Sequence, residues 1–176
     1  MEANRDWDWN RLGELSTDRL IELLFMQIRN IWSEDGLYFL EIEKRFGLDT
    51  AVEIDRNVWE IMGTLEAKRL KKVLGITDES LTGLFEALMH TSWWLDLENK
   101  EYNLEDNRAM IRNRDCRVHK KRKEKGLPEF NCKSVRWGFL KSFVQEFNTN
   151  VEVDCHFCPL DKHPVNIWCE WEFIMK

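Results

Sequence analysis

The chain has 176 residues, 43% of them apolar and 33% charged, with a formal net charge of −6. That length suits one domain or one compact two-part unit, and ten Phe against three Pro and eight Gly exclude a disordered, collagenous or low-complexity chain. No apolar run approaches the roughly 18 residues of a membrane span, and residues 1–11 lack a leader's apolar stretch, so a cytoplasmic protein is expected.

The first hundred residues predict helices. Ser16 or Thr17 can cap a helix carrying Leu20, Leu23, Leu24, Ile28, Ile31 and Trp32 at helical spacing. A second helix is expected after Gly36, with Tyr38, Phe39, Ile42 and Phe46 on one face and Gly47 as its stop. Thr50 and Glu53 have the spacing of a capping box. They predict a long helix through Val58, Trp59, Met62, Leu65, Leu70 and Val73, ending near Gly75. Thr77 is expected to cap a fourth helix with Leu81, Leu84, Phe85, Leu88 and Met89. The carboxylates Glu41, Glu43, Asp55, Glu60 and Glu66 read as solvated helix faces, because no Glu stands three residues before His90 to build a carboxylate-bridged metal pair.

After residue 98 the pattern changes. Residues 101–104 and 108–114 predict a hairpin around Glu105-Asp106-Asn107. Residues 116–125 favour a polar helix stopped by Gly126 and Pro128, and Asn131 is expected to cap a helix to about Phe147. Residues 151–157 and 167–173 alternate apolar and polar, as half-buried strands do. The fold class is α+β: a helical region over 1–98 and a cysteine-rich α+β region over 99–176, packed as one unit. Residues 108–125 hold nine Lys or Arg against Asp115 and Glu124. No aromatic residue interleaves with them and the whole chain is acidic, so they read as a solvated face rather than a nucleic-acid grip.

All five cysteines, Cys116, Cys132, Cys155, Cys158 and Cys169, follow residue 115. An odd count in an intracellular chain points to a metal site or a reactive thiol rather than to disulfides. Strand parity turns Cys155 and Cys169 to the apolar side of the sheet, and Cys132 lies on the helix stripe with Val135 and Phe139 that would cover it. Cys158, three residues after Cys155, completes a set of four thiolates suited to zinc or to iron–sulfur chemistry. Buried thiols without metal are the plainer alternative.

Cys116 heads the cationic helix one turn before His119, a position that favours ionisation and admits either a nucleophile–base pair or two metal ligands. His163, in a loop between two prolines, can reach a nearby site, whereas His90 and His156 read as structural. Nine Trp, about three times the usual number, read first as packing and second as walls of a ligand pocket.

The runs from Cys116 through Lys-Arg-Lys-Glu-Lys-Gly-Leu-Pro-Glu-Phe-Asn-Cys132-Lys-Ser, then Cys155-His-Phe-Cys158-Pro, His163-Pro and Trp168-Cys169-Glu-Trp-Glu-Phe, resemble a cytosolic archaeal and bacterial family. That family is related to the L-2-amino-thiazoline-4-carboxylic acid hydrolase-like proteins. More distantly, the same half is similar to the vinyl-reductase-type small-molecule-binding domain of phenol- and toluene-responsive regulators. This second resemblance implies zinc held by Cys132, by Glu152 and Cys155 of Glu152-Val-Asp-Cys155, and by Cys169 or Cys158, beside an effector pocket. Glu152 fits only with a strand bulge, since it should face away from Cys155. The expected function is therefore a metal-binding module with a small-molecule pocket. The alternative is a hydrolase of a thiazoline or cyclic amide that uses metal-bound water or Cys116. Apolar helices of this length also admit a homodimer.

Overall fold

Ser16 accepts a hydrogen bond from Arg19 N and so caps helix α2 (Thr17–Phe46), which follows the short α1 (Arg5–Gly13). The computed structural model describes residues 5–176; residues 1–4, part of the stretch read for a leader, lie outside it. Helix α2 runs straight through Gly36, where a second helix was expected to begin. Glycine costs a helix only about 1 kcal/mol relative to alanine, and the Trp32 and Phe39 contacts on either side outweigh that. Gly47, at φ +89°, reverses the chain and serves both as stop for α2 and as N-cap for α3 (Leu48–Leu74). The Thr50–Glu53 box is therefore already inside α3. Gly75 ends that helix in the left-handed conformation. Ser80, not Thr77, caps α4 (Leu81–Leu88), and Thr91 caps the short α5 (Ser92–Asp96).

The second region begins with the expected hairpin, β1 (Lys100–Leu104) and β2 (Arg108–Asn113). Helices α6 (Arg117–Glu124) and α7 (Lys133–Gln145) follow, then strands β3 (Val151–Phe157) and β4 (Cys169–Met175). Asn131 contributes to the start of α7 by accepting from Lys133 N, while Cys132 occupies the cap position. The strands form one antiparallel sheet in the order β1-β2-β4-β3, with a bulge between Cys155 and Phe157. The fold is α+β, with helices first and the sheet toward the C-terminus.

Both regions supply one main core, in which Trp59, Phe85, Phe139, Phe143, Ile111, Trp171 and Phe173 meet. Helices α3 and α7 approach closely at Gly63, where an added Cβ would collide with Ser142 Oγ and the Phe139 carbonyl. Residues 6–27, by contrast, are exposed throughout, including Leu20, Ile21, Leu24 and Phe25. Among the described residues no helix is long and apolar enough to cross a membrane.

Candidate functional site

On three helices a charged residue stands between apolar residues of the inner stripe. Asp35 stands between Trp32 and Phe39 on α2, Asp55 between Val52 and Trp59 on α3, and Arg136 between Cys132 and Phe139 on α7. These spacings of three and four put each charge on its helix's inner face. All three line a cavity of about 400 Å³ whose walls include Trp32, Trp59, Trp93 and Trp171. So four of the nine Trp are cavity walls. Trp32 and Trp59 stack at 4.7 Å with planes 10° apart, and Trp59 Nε1 donates to Asp35 Oδ1 at 3.0 Å. Asp55 was read as solvated; burial, then the neighbouring Asp35 charge, push its pKa up to about 7.

The Arg136 guanidinium is held among rings, with its central carbon 4.7 Å from the Trp93 centroid, 5.2 Å from Phe139, 5.5 Å from Trp32 and 5.6 Å from Trp59. Its Nη1 is buried and has no hydrogen-bond partner. A charged residue on an apolar stripe was the signal that could have found these three groups in the sequence.

Cys116, Cys132, Cys158 and Cys169 line the same cavity. Cys155 and Cys158 are buried, and their Sγ atoms lie 3.5 Å apart. Cys132, Cys155 and Cys169 together push the Cys158 thiol well above the ordinary value. Strand parity thus places Cys155 and Cys169 as expected, and the turn after β3 brings Cys158 between them and the head of α7. All five cysteines are free thiols. Among the described residues no group of three or more His, Cys, Asp or Glu stands assembled at metal-binding geometry; the thiol–thiol hydrogen bond seen there joins Cys155 and Cys158. Within that cluster Cys158 holds its proton firmly. Cys132 is pushed well below the ordinary thiol value, chiefly by the hydrogen bond with Cys158 and then by His119.

Cys116 departs from expectation. It does sit at the head of α6, but burial pushes its pKa up to about 12, with the Cys132 charge adding to the effect. Desolvation outweighs the helix terminus and the nearby cations. His119 is fully buried between Phe130 at 5.2 Å and Trp168 at 5.8 Å. Its ring approaches Cys132, yet neither nitrogen makes a hydrogen bond of acceptable geometry. His163 is half-buried; it stacks on Trp168 at 5.9 Å and its Nδ1 faces the Pro164 carbonyl. Glu152 does not join the sulfurs: it lies exposed on the opposite face and pairs with Lys176. The bulge falls beyond Cys155, too late in the strand to turn Glu152 inward.

Most of the basic run is solvent-exposed, as expected, and most of it is also ion-paired. Arg122 is buried against Phe39 and Phe130 and pairs with Glu43 at 2.6 Å, so Glu43 is not solvated either. Glu66 likewise faces inward and accepts from Ser92 N. Arg117 pairs with Asp96, Arg114 with Glu101, and Lys120 with Asp115. On the outer sheet face Arg108 and Arg112 reach Glu172 and Glu170, and His156 bridges those same two carboxylates at 3.1 and 2.8 Å.

Comparison with protein families gives a match over residues 13–175 to DUF6125, a family of unknown function. The chain belongs to that family. No curated protein and no solved structure gives a significant match to this DUF6125 chain.

Proposed function

We propose that this is a cytosolic metal-binding protein, in which Cys132, Cys155, Cys158 and Cys169 hold zinc beside a pocket for a small molecule, acting as a binding or sensor-like module. The Cys155–Cys158 pair, with Sγ atoms 3.5 Å apart, carries this reading, and Cys132 and Cys169 line the same cavity as Cys158. Zinc–sulfur bonds of about 2.3 Å in a tetrahedron imply a sulfur–sulfur edge of roughly 3.8 Å, and the Cys155–Cys158 separation of 3.5 Å is close to that. Bound zinc would cross-link the sheet to α7, and four soft thiolates favour it over harder metals. Cys116 supports binding over hydrolysis, because burial pushes its thiol up to about 12, away from the range of an activated nucleophile.

Protein purified without chelator is expected to carry about one zinc per chain by elemental analysis. Cys158→Ser should lose most of that zinc and melt much earlier, because metal binding and folding share one free energy; Cys116→Ser should keep it. Metal-free protein that folds and melts normally, with five thiols titrating, would overturn the reading.

A second copy of the chain is the partner we propose for the exposed start of α2. Leu20, Ile21, Leu24 and Phe25 there, and the Ile54, Val58, Ile61, Leu65 stripe on α3, are all exposed apolar faces on one chain, as a two-fold interface needs. Light scattering should give twice the chain mass. Phe25→Glu should give the single mass, and a monomeric wild type would end the idea.

A further inference from the structure

In a regular strand, residues three apart point to opposite faces, so Cys155 and Cys158 should not meet. The bulge at the end of β3 changes that. Cys155 lies opposite the inward Trp171, whereas Phe157 lies opposite the outward Glu170. His156 is therefore the extra residue, and it returns Cys158 to the side that Cys155 faces. The two Sγ atoms lie 3.5 Å apart, with Cys155 donating to Cys158.

A disulfide needs a sulfur–sulfur distance of about 2.05 Å, so the pair has to close by roughly 1.5 Å. Cys158 opens a turn at the end of the strand, held by hydrogen bonds between its backbone and Asp161. Beyond that turn lie the exposed Leu160 and Val165. Both thiols are free and buried. Burial restricts any oxidant to a small one. Cys158 is a lining residue of the cavity, and so are the exposed Leu37, Lys121 and Lys125, which gives such a molecule a way in.

We infer that Cys155 and Cys158 are a site of reversible oxidation, closing to a disulfide when the protein meets a hydroperoxide. The sulfur–sulfur bond forms as the peroxide oxygen–oxygen bond and both S–H bonds break. The two thiols lose two electrons, the peroxide takes them up, and both thiol protons leave on its oxygens as water or as water and an alcohol. This rests on the same sulfur contact as the zinc reading. Where zinc is bound, the oxidation removes two of its four thiolates, and the two protons come from solvent.

The test treats the protein as purified with hydrogen peroxide at about 1 mM and measures zinc before and after. Tryptic peptide 142–162 contains Cys155 and Cys158 and no other cysteine. After thiol blocking and digestion without reductant, that peptide should be about 2 Da lighter, the two thiol hydrogens. Cys116, Cys132 and Cys169 should remain open to alkylation, and dithiothreitol should restore all five thiols. Any zinc present should leave in proportion to the disulfide. An unchanged peptide, a link from it to another cysteine, or oxygen adducts in place of the 2 Da loss would overturn the inference. A zinc-free protein that closes the disulfide would sink the metal reading and leave this one standing. A protein that keeps both its zinc and its thiols under peroxide would do the reverse.

Discussion

The two faces of the sheet are built on different physics. The inner face of β4 presents Cys169, Trp171 and Phe173 to the helices, and the last two are fully buried. Its outer face presents Glu170 and Glu172, which are only 8% and 5% exposed. Arg108 and Arg112 from β2 and His156 from β3 cover those carboxylates. Apolar contact holds the first face and charge holds the second. The difference shows that burial on a strand does not by itself identify a core.

The largest expected effect is on the inner side. Phe173 packs edge-on against Phe85 at 5.1 Å, and Phe173→Ala should cost about 3–5 kcal/mol in urea unfolding, the usual loss for a buried ring. A cost near 1 kcal/mol would mean that the inner face is much looser than its packing implies.

A pH experiment sharpens the contrast. Asp55 has a folded pKa of about 7, above its ordinary value of 3.8. The native state therefore binds the extra proton, and stability falls as pH rises through that window. Asp55→Asn should then stabilise the protein at pH 8 by on the order of 2 kcal/mol and have little effect at pH 4. A variant no more stable than wild type at pH 8 would show that the carboxyl is better solvated than its surroundings suggest.

The smallest effect is expected on the outer face. His156 is raised above 6.5, first by its hydrogen bond to Glu170 and then by Glu172. Its stabilising share is complete below the ordinary value and disappears as pH rises through the raised one. His156→Gln should lower stability by about 0.5–1 kcal/mol near pH 6 and by nothing measurable near pH 9. Melting curves at the two pH values check this, and an equal loss at both would make the contact one of packing rather than charge.

Much of the fold could be read from local rules. The Ser16 cap, the glycine stops at 47 and 75, the hairpin around 105–107 and the inward parity of Cys155 and Cys169 are short-range features, set by backbone conformation and period. The outer cluster could not be read in this way, because Glu170 and Glu172 look like solvent-facing residues until the β2-β4-β3 order places two arginines and a histidine beside them. Cys116 failed for a related reason: sequence shows the cations around a thiol but not its depth. Arg136, Asp35 and Asp55 were legible in principle as charges on apolar stripes. Their meeting in one cavity depends on the packing of α2, α3 and α7, which no single stripe encodes.

The stacked Trp32 and Trp59 rings have an optical consequence. Two indoles 4.7 Å apart and nearly parallel share their electronic excitation, so the pair should give a split circular-dichroism band that neither ring gives alone. The sign and size of that couplet depend on the angle between the two transition dipoles. Both rings are cavity walls, so the couplet gives the molecule its own gauge of cavity shape, readable without a label.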